Sequence, residues 1–276
     1  MFSAYFMQQR RLFLFIIIFV CINIVIFALV QGINPVWASD SSVDLKQEKY
    51  WKSLLSKQIK MGQAIDLNSG QQTFFAIYKK QNLLKEKGSV ILLHDKAGHP
   101  DWKNVIRPLR INLTKHGWNT LSIQMPLKNK PLKKTEELQA FYQQGYSRLD
   151  SALQYLKDQK APNIFLIAYG SNNLVVLNYY KNNPKRDING VVLISLATEN
   201  SLSLLEEINL PVLDIYGSND FDSVTLTARQ RISAAKRSGN KYYSQQQIHY
   251  ADHFFSTDSD KLIKRIHSWM VSTISR

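Results

Sequence analysis

The stretch Ala168-Tyr169-Gly170-Ser171-Asn172 closes one apolar run, "NIFLIA", and leads into a second apolar pattern, "LVVLNYY". A strand that turns sharply into a helix exposes the side chain at the turn, and a serine exposed there can act as a nucleophile once a base takes its proton. Ser171 is the hydroxyl on offer. Other chemistry-bearing residues stand at the ends of apolar runs. His94 closes "SVILLH" and is followed by the loop Asp95–Gly98, where Gly98 could let backbone N–H groups approach a ligand. Asp220 follows "PVLDIY" within "GSND", and His253 stands immediately before the last helical pattern. His249 lies four residues before His253, but on a strand or loop that spacing does not converge two rings, and no metal site is expected. Neither G-x-G-x-x-G nor G-x-x-x-x-G-K-[ST] occurs, so no nucleotide cofactor is expected.

These positions need a scaffold that brings strand ends together. Strands are expected at 73–78, 89–94, 118–124, 163–168, 190–195 and 211–216, with a weaker one at 242–248. Several are continuously apolar, as strands covered on both faces are. Helical periodicity lies between them: Leu138, Phe141, Tyr142, Leu149, Leu153 and Leu156 share a spacing, after Glu136 and Glu137 in a first turn that favours acids. The segment 256–274 opens on Ser, Thr and Asp caps. Alternating strands and helices imply an α/β fold with a doubly wound, mainly parallel sheet, whose chemistry sits at the carboxyl ends of its strands.

With these residues in this order, the chain resembles the α/β-hydrolase superfamily over about residues 73–275. In particular it is similar to an uncharacterised bacterial family, a domain of unknown function with that fold. The segments carrying that likeness are "ILLHDKAGHPDW", "LRINLTKHGWNTLSIQMP", "PVLDIYG" and "ADHFF…LIKRIHSWM". The resemblance implies that Asp220 is the acid orienting an imidazole, that His253 is the general base, and that the loop His94, Asp95 and Gly98 builds part of an oxyanion hole. Structural roles stay open beside these: Asp220 as a turn cap, His253 as a packed ring beside Phe254 and Phe255, His94 as a hydrogen-bonded scaffold group.

The superfamily's elbow runs small-x-nucleophile-x-small, because the nucleophile holds a positive φ and bulky neighbours clash in the turn. With Ser171 as nucleophile, Tyr169 and Asn173 take the small positions, a poor fit. With Gly170 in the central place, Ala168 is the first small residue, Tyr169 the bulky one between, and Asn172 the last, where Asn tolerates unusual φ and ψ. That second frame fits better and leaves the elbow without an Oγ. The expectation is a hydrolase-fold protein lacking its serine, binding a small-molecule or acyl ligand or acting as an accessory protein. The alternative is an ester or acyl hydrolase using Ser171, His253 and Asp220.

The chain of 276 residues is 45% hydrophobic, enough for one large α/β domain. Residues 1–38 read as a targeting segment: a basic start with Arg10 and Arg11, then Leu12–Val30 without charge, roughly 28 Å as a helix. It suits a signal peptide cleaved after Ala38 or a retained anchor, and both send the rest of the chain to the periplasm. Residues 39–72 read as a linker or N-terminal helix, and 73–276 as the hydrolase-like domain. Cys21 is the only cysteine, so no intramolecular disulfide can form. The net charge of +14, of which Arg10 and Arg11 carry two, suits an anionic membrane surface or glycan. "KNKPLKK" (128–134) is a tight basic cluster, but no aromatic residues interleave with it, and nucleic acid is not an expected partner.

Overall fold

A computed structural model describes residues 43–70, 72–128, 135–184, 187–197 and 201–275. The apolar segment Leu12–Val30 and the basic residues at 129–134 lie outside these. Among the described residues, no helix is long and apolar enough to cross a membrane.

The described chain forms an eight-stranded sheet in the order β1-β2-β4-β3-β5-β6-β7-β8. The strands are β1 (Gln63–Ser69), β2 (Gln72–Lys79), β3 (Gly88–Leu93), β4 (Trp118–Ile123), β5 (Ile164–Tyr169), β6 (Gly190–Ile194), β7 (Val212–Asn219) and β8 (Tyr243–Asp252). β1, β2 and β4 pair antiparallel, and every pairing from β4 through β3 to β8 is parallel. The seven strands anticipated from the apolar runs are all present. β1 is the addition: its "QAIDLNS" buries only Leu67, so this half-wet edge strand carries no apolar run that would announce it.

The central strands are continuously apolar because helices cover both faces. In β5 the period of two sends Ile164, Leu166 and Ala168 to one core and Phe165, Ile167 and Tyr169 to the other. The first core is closed by α3 (Thr135–Asp158), α4 (Asn172–Asn182) and α5 (Ser201–Glu207), the second by α2 (Ile106–Asn112) and α8 (Ser259–Ile274). Helix α1 (Leu45–Gln58), capped by Asp44, lays Trp51 and Leu55 on Phe75 and Ile77. Its buried Glu48 meets Arg148 at 3.0 Å. Burial raises the Glu48 pKa, and the Arg148 charge opposes that rise.

Two short helices, α6 (Asp222–Thr225) and α7 (Ala228–Arg237), link β7 to β8. The amino-terminal part of β7 and β8 is steadied there by a fully buried ion pair. Arg231 Nε donates to Asp214 Oδ2 at 2.6 Å, and neither side chain is exposed. The same oxygen accepts from the Tyr243 hydroxyl at 2.6 Å and from Gln245 Nε2 at 2.8 Å, while Arg231 Nη1 reaches Val224 O and Thr227 Oγ1. β7, α7 and β8 are thus tied at one point below the loops that carry Asp220 and His253. Removing one partner strands a buried charge. Arg231→Ala should cost about 3–5 kcal/mol in urea unfolding, and the paired replacement Asp214→Leu/Arg231→Met should cost clearly less.

Candidate active site at the strand ends

Asp220 follows β7 and is buried. Its Oδ1 accepts from His253 Nδ1 at 2.7 Å and from the Phe221 backbone N–H at 2.8 Å, and its Oδ2 accepts from the Ser195 hydroxyl at 2.5 Å. A carboxylate can only accept, so His253 carries its proton on Nδ1 and presents the Nε2 lone pair. The ring is held by Phe221, stacked at 4.3 Å, and by Tyr169 and Phe254, each at 5.2 Å. This is the geometry of an oriented base. Ser195 was not legible as a member of the group. It stands just past β6 with φ 56°, and only the final position of "GVVLIS" at a strand end hints at it.

The elbow lies between β5 and α4. Gly170 has φ 61°, whereas Ser171 has φ −65° and already belongs to the helical turn. Gly170 N–H donates to Ile194 O at 3.0 Å, and Asn173 Nδ2 donates to the same carbonyl at 2.8 Å. Asn172 Nδ2 donates to His94 O. Asn172 and Asn173, awkward in a tight elbow by type alone, therefore staple the turn to β3 and β6.

The loop after β3 fills this turn with a carboxylate. Asp95 Oδ1 accepts the Ser171 backbone N–H at 2.7 Å. A Cβ built on Gly170 would overlap the Asp95 Cγ and Oδ1 and stand 2.7 Å from Oδ2. Ser171 Oγ accepts from the Lys96 N–H at 3.2 Å and makes no hydrogen bond with His253. The structure thus brings together His253 and Asp220, and separately Ser171, Gly170 and Asp95, with Tyr169 bridging the two groups. Tyr169 stands against the His253 ring and donates its hydroxyl to His253 O at 3.2 Å. Burial raises the Tyr169 pKa, and the nearby Asp95, Asp220 and Asp252 raise it further.

His94 is a scaffold group that aims Asp95. Its Nε2 accepts the Met125 N–H at 2.9 Å, so Nδ1 carries the proton and donates to Asp95 O at 2.6 Å. Gly98 N–H donates to the same carbonyl at 3.0 Å, and a Cβ there would stand 2.9 Å from it. Burial lowers the His94 pKa to about 3, keeping the ring neutral.

The family described as a protein of unknown function (DUF3530) matches residues 38–140 and 128–272, nearly the whole domain. The chain belongs to that family. Among curated proteins none matches it. Solved structures give the fold. Est1E from Butyrivibrio proteoclasticus is 15% identical, with 78% of this chain and 100% of that one covered at a TM-score of 0.61. The esterase Pf2001 from Pyrococcus furiosus is 15% identical, with 79% and 95% covered at 0.60. The dienelactone hydrolase from Anabaena variabilis is 15% identical, with 77% and 97% covered at 0.57. At this identity the likeness establishes the α/β-hydrolase fold and leaves the chemistry to the site itself.

Two outcomes follow for this DUF3530 protein. Gly170→Ala should lose about 1–3 kcal/mol in chemical denaturation, and the loss should shrink in an Asp95→Ala background, giving a measurable coupling between the two sites. Stability should also fall as pH drops. His94, His99 and His267 have pKa values lowered by burial from 6.5 to about 3, 4 and 4, so the unfolded chain binds more protons below about pH 6.5. Urea midpoints should decline from pH 7 towards pH 4, with a shallower slope for His94→Gln.

Proposed function

We propose that this protein is an exported envelope protein of the α/β-hydrolase fold whose cleft does not form an acyl-serine, and that it recognises a small-molecule or acyl-type ligand there in a binding or accessory role. The observation carrying this reading is Gly170 at the turn, with the Asp95 carboxylate in the space a nucleophile's Cβ would need. Two features add support. Ser171 Oγ accepts from Lys96 N–H and is not hydrogen-bonded to His253. The Ser171 N–H, in the position that ordinarily receives a substrate oxyanion, is taken by an anion of the protein itself. Nucleophile and oxyanion donor are withdrawn together, so losing one is not offset by keeping the other.

Export rests on the uncharged run Leu12–Val30 behind Arg10 and Arg11, with cleavage near Ala38 or retention as an anchor. The excess positive charge of the exported part suits an anionic lipid or glycan surface as its surroundings.

A fluorophosphonate probe tests the central point. The folded protein should remain unlabelled under conditions that label a serine esterase to completion, and Ser171→Ala should behave like the parent. Labelling that Ser171→Ala abolishes would establish serine chemistry and overturn the reading.

A further inference from the structure

The base half of the cleft is more complete than binding alone requires. His253 is oriented by Asp220, Asp220 is itself held by Ser195 and Phe221, and His253 Nε2 makes no hydrogen bond among the described residues. The side chain standing in the elbow is a carboxylate. We propose that Asp95 is the nucleophile of this cleft and that its substrates carry a leaving group on a saturated carbon. The inference rests on the serine-free reading above and goes beyond the binding role stated there.

The hydrogen bonds choose the substrate class. Acyl transfer puts negative charge on a substrate oxygen, which needs N–H donors. Two backbone donors at this turn are already engaged by the protein itself, Ser171 N–H by Asp95 Oδ1 and Lys96 N–H by Ser171 Oγ. Displacement of a halide from a saturated carbon creates no such oxyanion on the substrate, because the halide leaves carrying the charge. It needs only a carboxylate oxygen with a free lone pair, and Asp95 Oδ2 has no hydrogen-bond partner among the described residues. The group is half-buried and held by its backbone, since Asp95 O is clamped by His94 Nδ1 and Gly98 N–H. Phe221 and Phe254, both exposed beside the His253 ring, offer an apolar face to an alkyl or aryl group.

The two steps balance. Asp95 Oδ2 bonds to the carbon while the carbon–leaving-group bond breaks, the leaving group departs with the bonding pair, and an alkyl ester of Asp95 remains. His253 Nε2 then takes a proton from water as the water oxygen adds to Asp95 Cγ. The oxyanion of that adduct forms on Oδ1, which already accepts the Ser171 N–H at 2.7 Å. Collapse breaks the bond from Cγ to the alkyl oxygen, the alcohol leaves with the proton held by His253, and the acid left on Asp95 releases the water's second proton to solvent to return the carboxylate. The donor that is unavailable to an acyl substrate is in place for hydrolysing an ester of Asp95.

Blocking the second step should make the ester visible. Full-length protein carrying His253→Gln is incubated with 1-bromohexane and, separately, with 1-iodohexane. Intact-mass spectrometry should show at least one probe adding a single equivalent, peptide mapping should place it on residue 95, and mild base should release it. The parent should turn over the same probe without accumulating adduct, and Asp95→Asn should neither turn over nor label at that position. If folded His253→Gln protein, checked by circular dichroism, gives no adduct on Asp95 with either probe, the inference fails while the serine-free reading stands. Fluorophosphonate labelling of Ser171 would remove that reading and the inference with it.

Discussion

A carboxylate and a Cβ cannot share one volume, and at the turn after β5 that exclusion governs the rest of the site. Gly170 and Asp95 lie far apart in the chain, yet each makes sense only with the other: the glycine leaves the space, and the carboxylate fills it and accepts the Ser171 N–H just ahead of α4. A helix N-terminus favours negative charge through its unpaired N–H groups and its dipole, so Asp95 is stabilised where it sits although it forms no ion pair among the described residues. The surrounding contacts serve that placement. His94 and Gly98 clamp the Asp95 backbone, and Asn172 and Asn173 hold the elbow against the two neighbouring strands.

The other half of the cleft departs little from an oriented base. Asp220 spends its lone pairs on Ser195, Phe221 and His253, and aromatic rings fix the imidazole plane. The buried Arg231–Asp214 pair steadies the two strands that deliver this acid and base. Asp220 and His253 thus stand as an oriented acid–imidazole pair, while the Ser171 hydroxyl makes no hydrogen bond with His253.

Much of the fold was legible because its information is local. Continuous apolar runs marked the strands buried on both faces, and the spacing of Leu149, Leu153 and Leu156 marked α3. The frame centred on Gly170 rests on residue size alone, with Tyr169 awkward at a small position, and Gly170 is the residue with positive φ at this turn. Three features were not legible. β1 pairs at a half-wet edge and carries almost no apolar signal. Ser195 reaches Asp220 from another strand end. Asp95 was expected only as part of an oxyanion loop, and its occupation of the Gly170 turn is a contact between residues from different strands, which no spacing along one strand encodes.

Asp95 and an elbow side chain are thus mutually exclusive occupants of the turn. Exchanging them tests this most directly: Asp95→Ala combined with Gly170→Ser frees the volume and the Ser171 N–H while placing an Oγ at the turn. The rate of fluorophosphonate labelling of that double variant is the measurement. The expected result is labelling at the introduced hydroxyl that is absent from the parent, is absent from either single variant, and disappears when His253→Gln is added. A folded double variant as unreactive as the parent would contradict the exclusion.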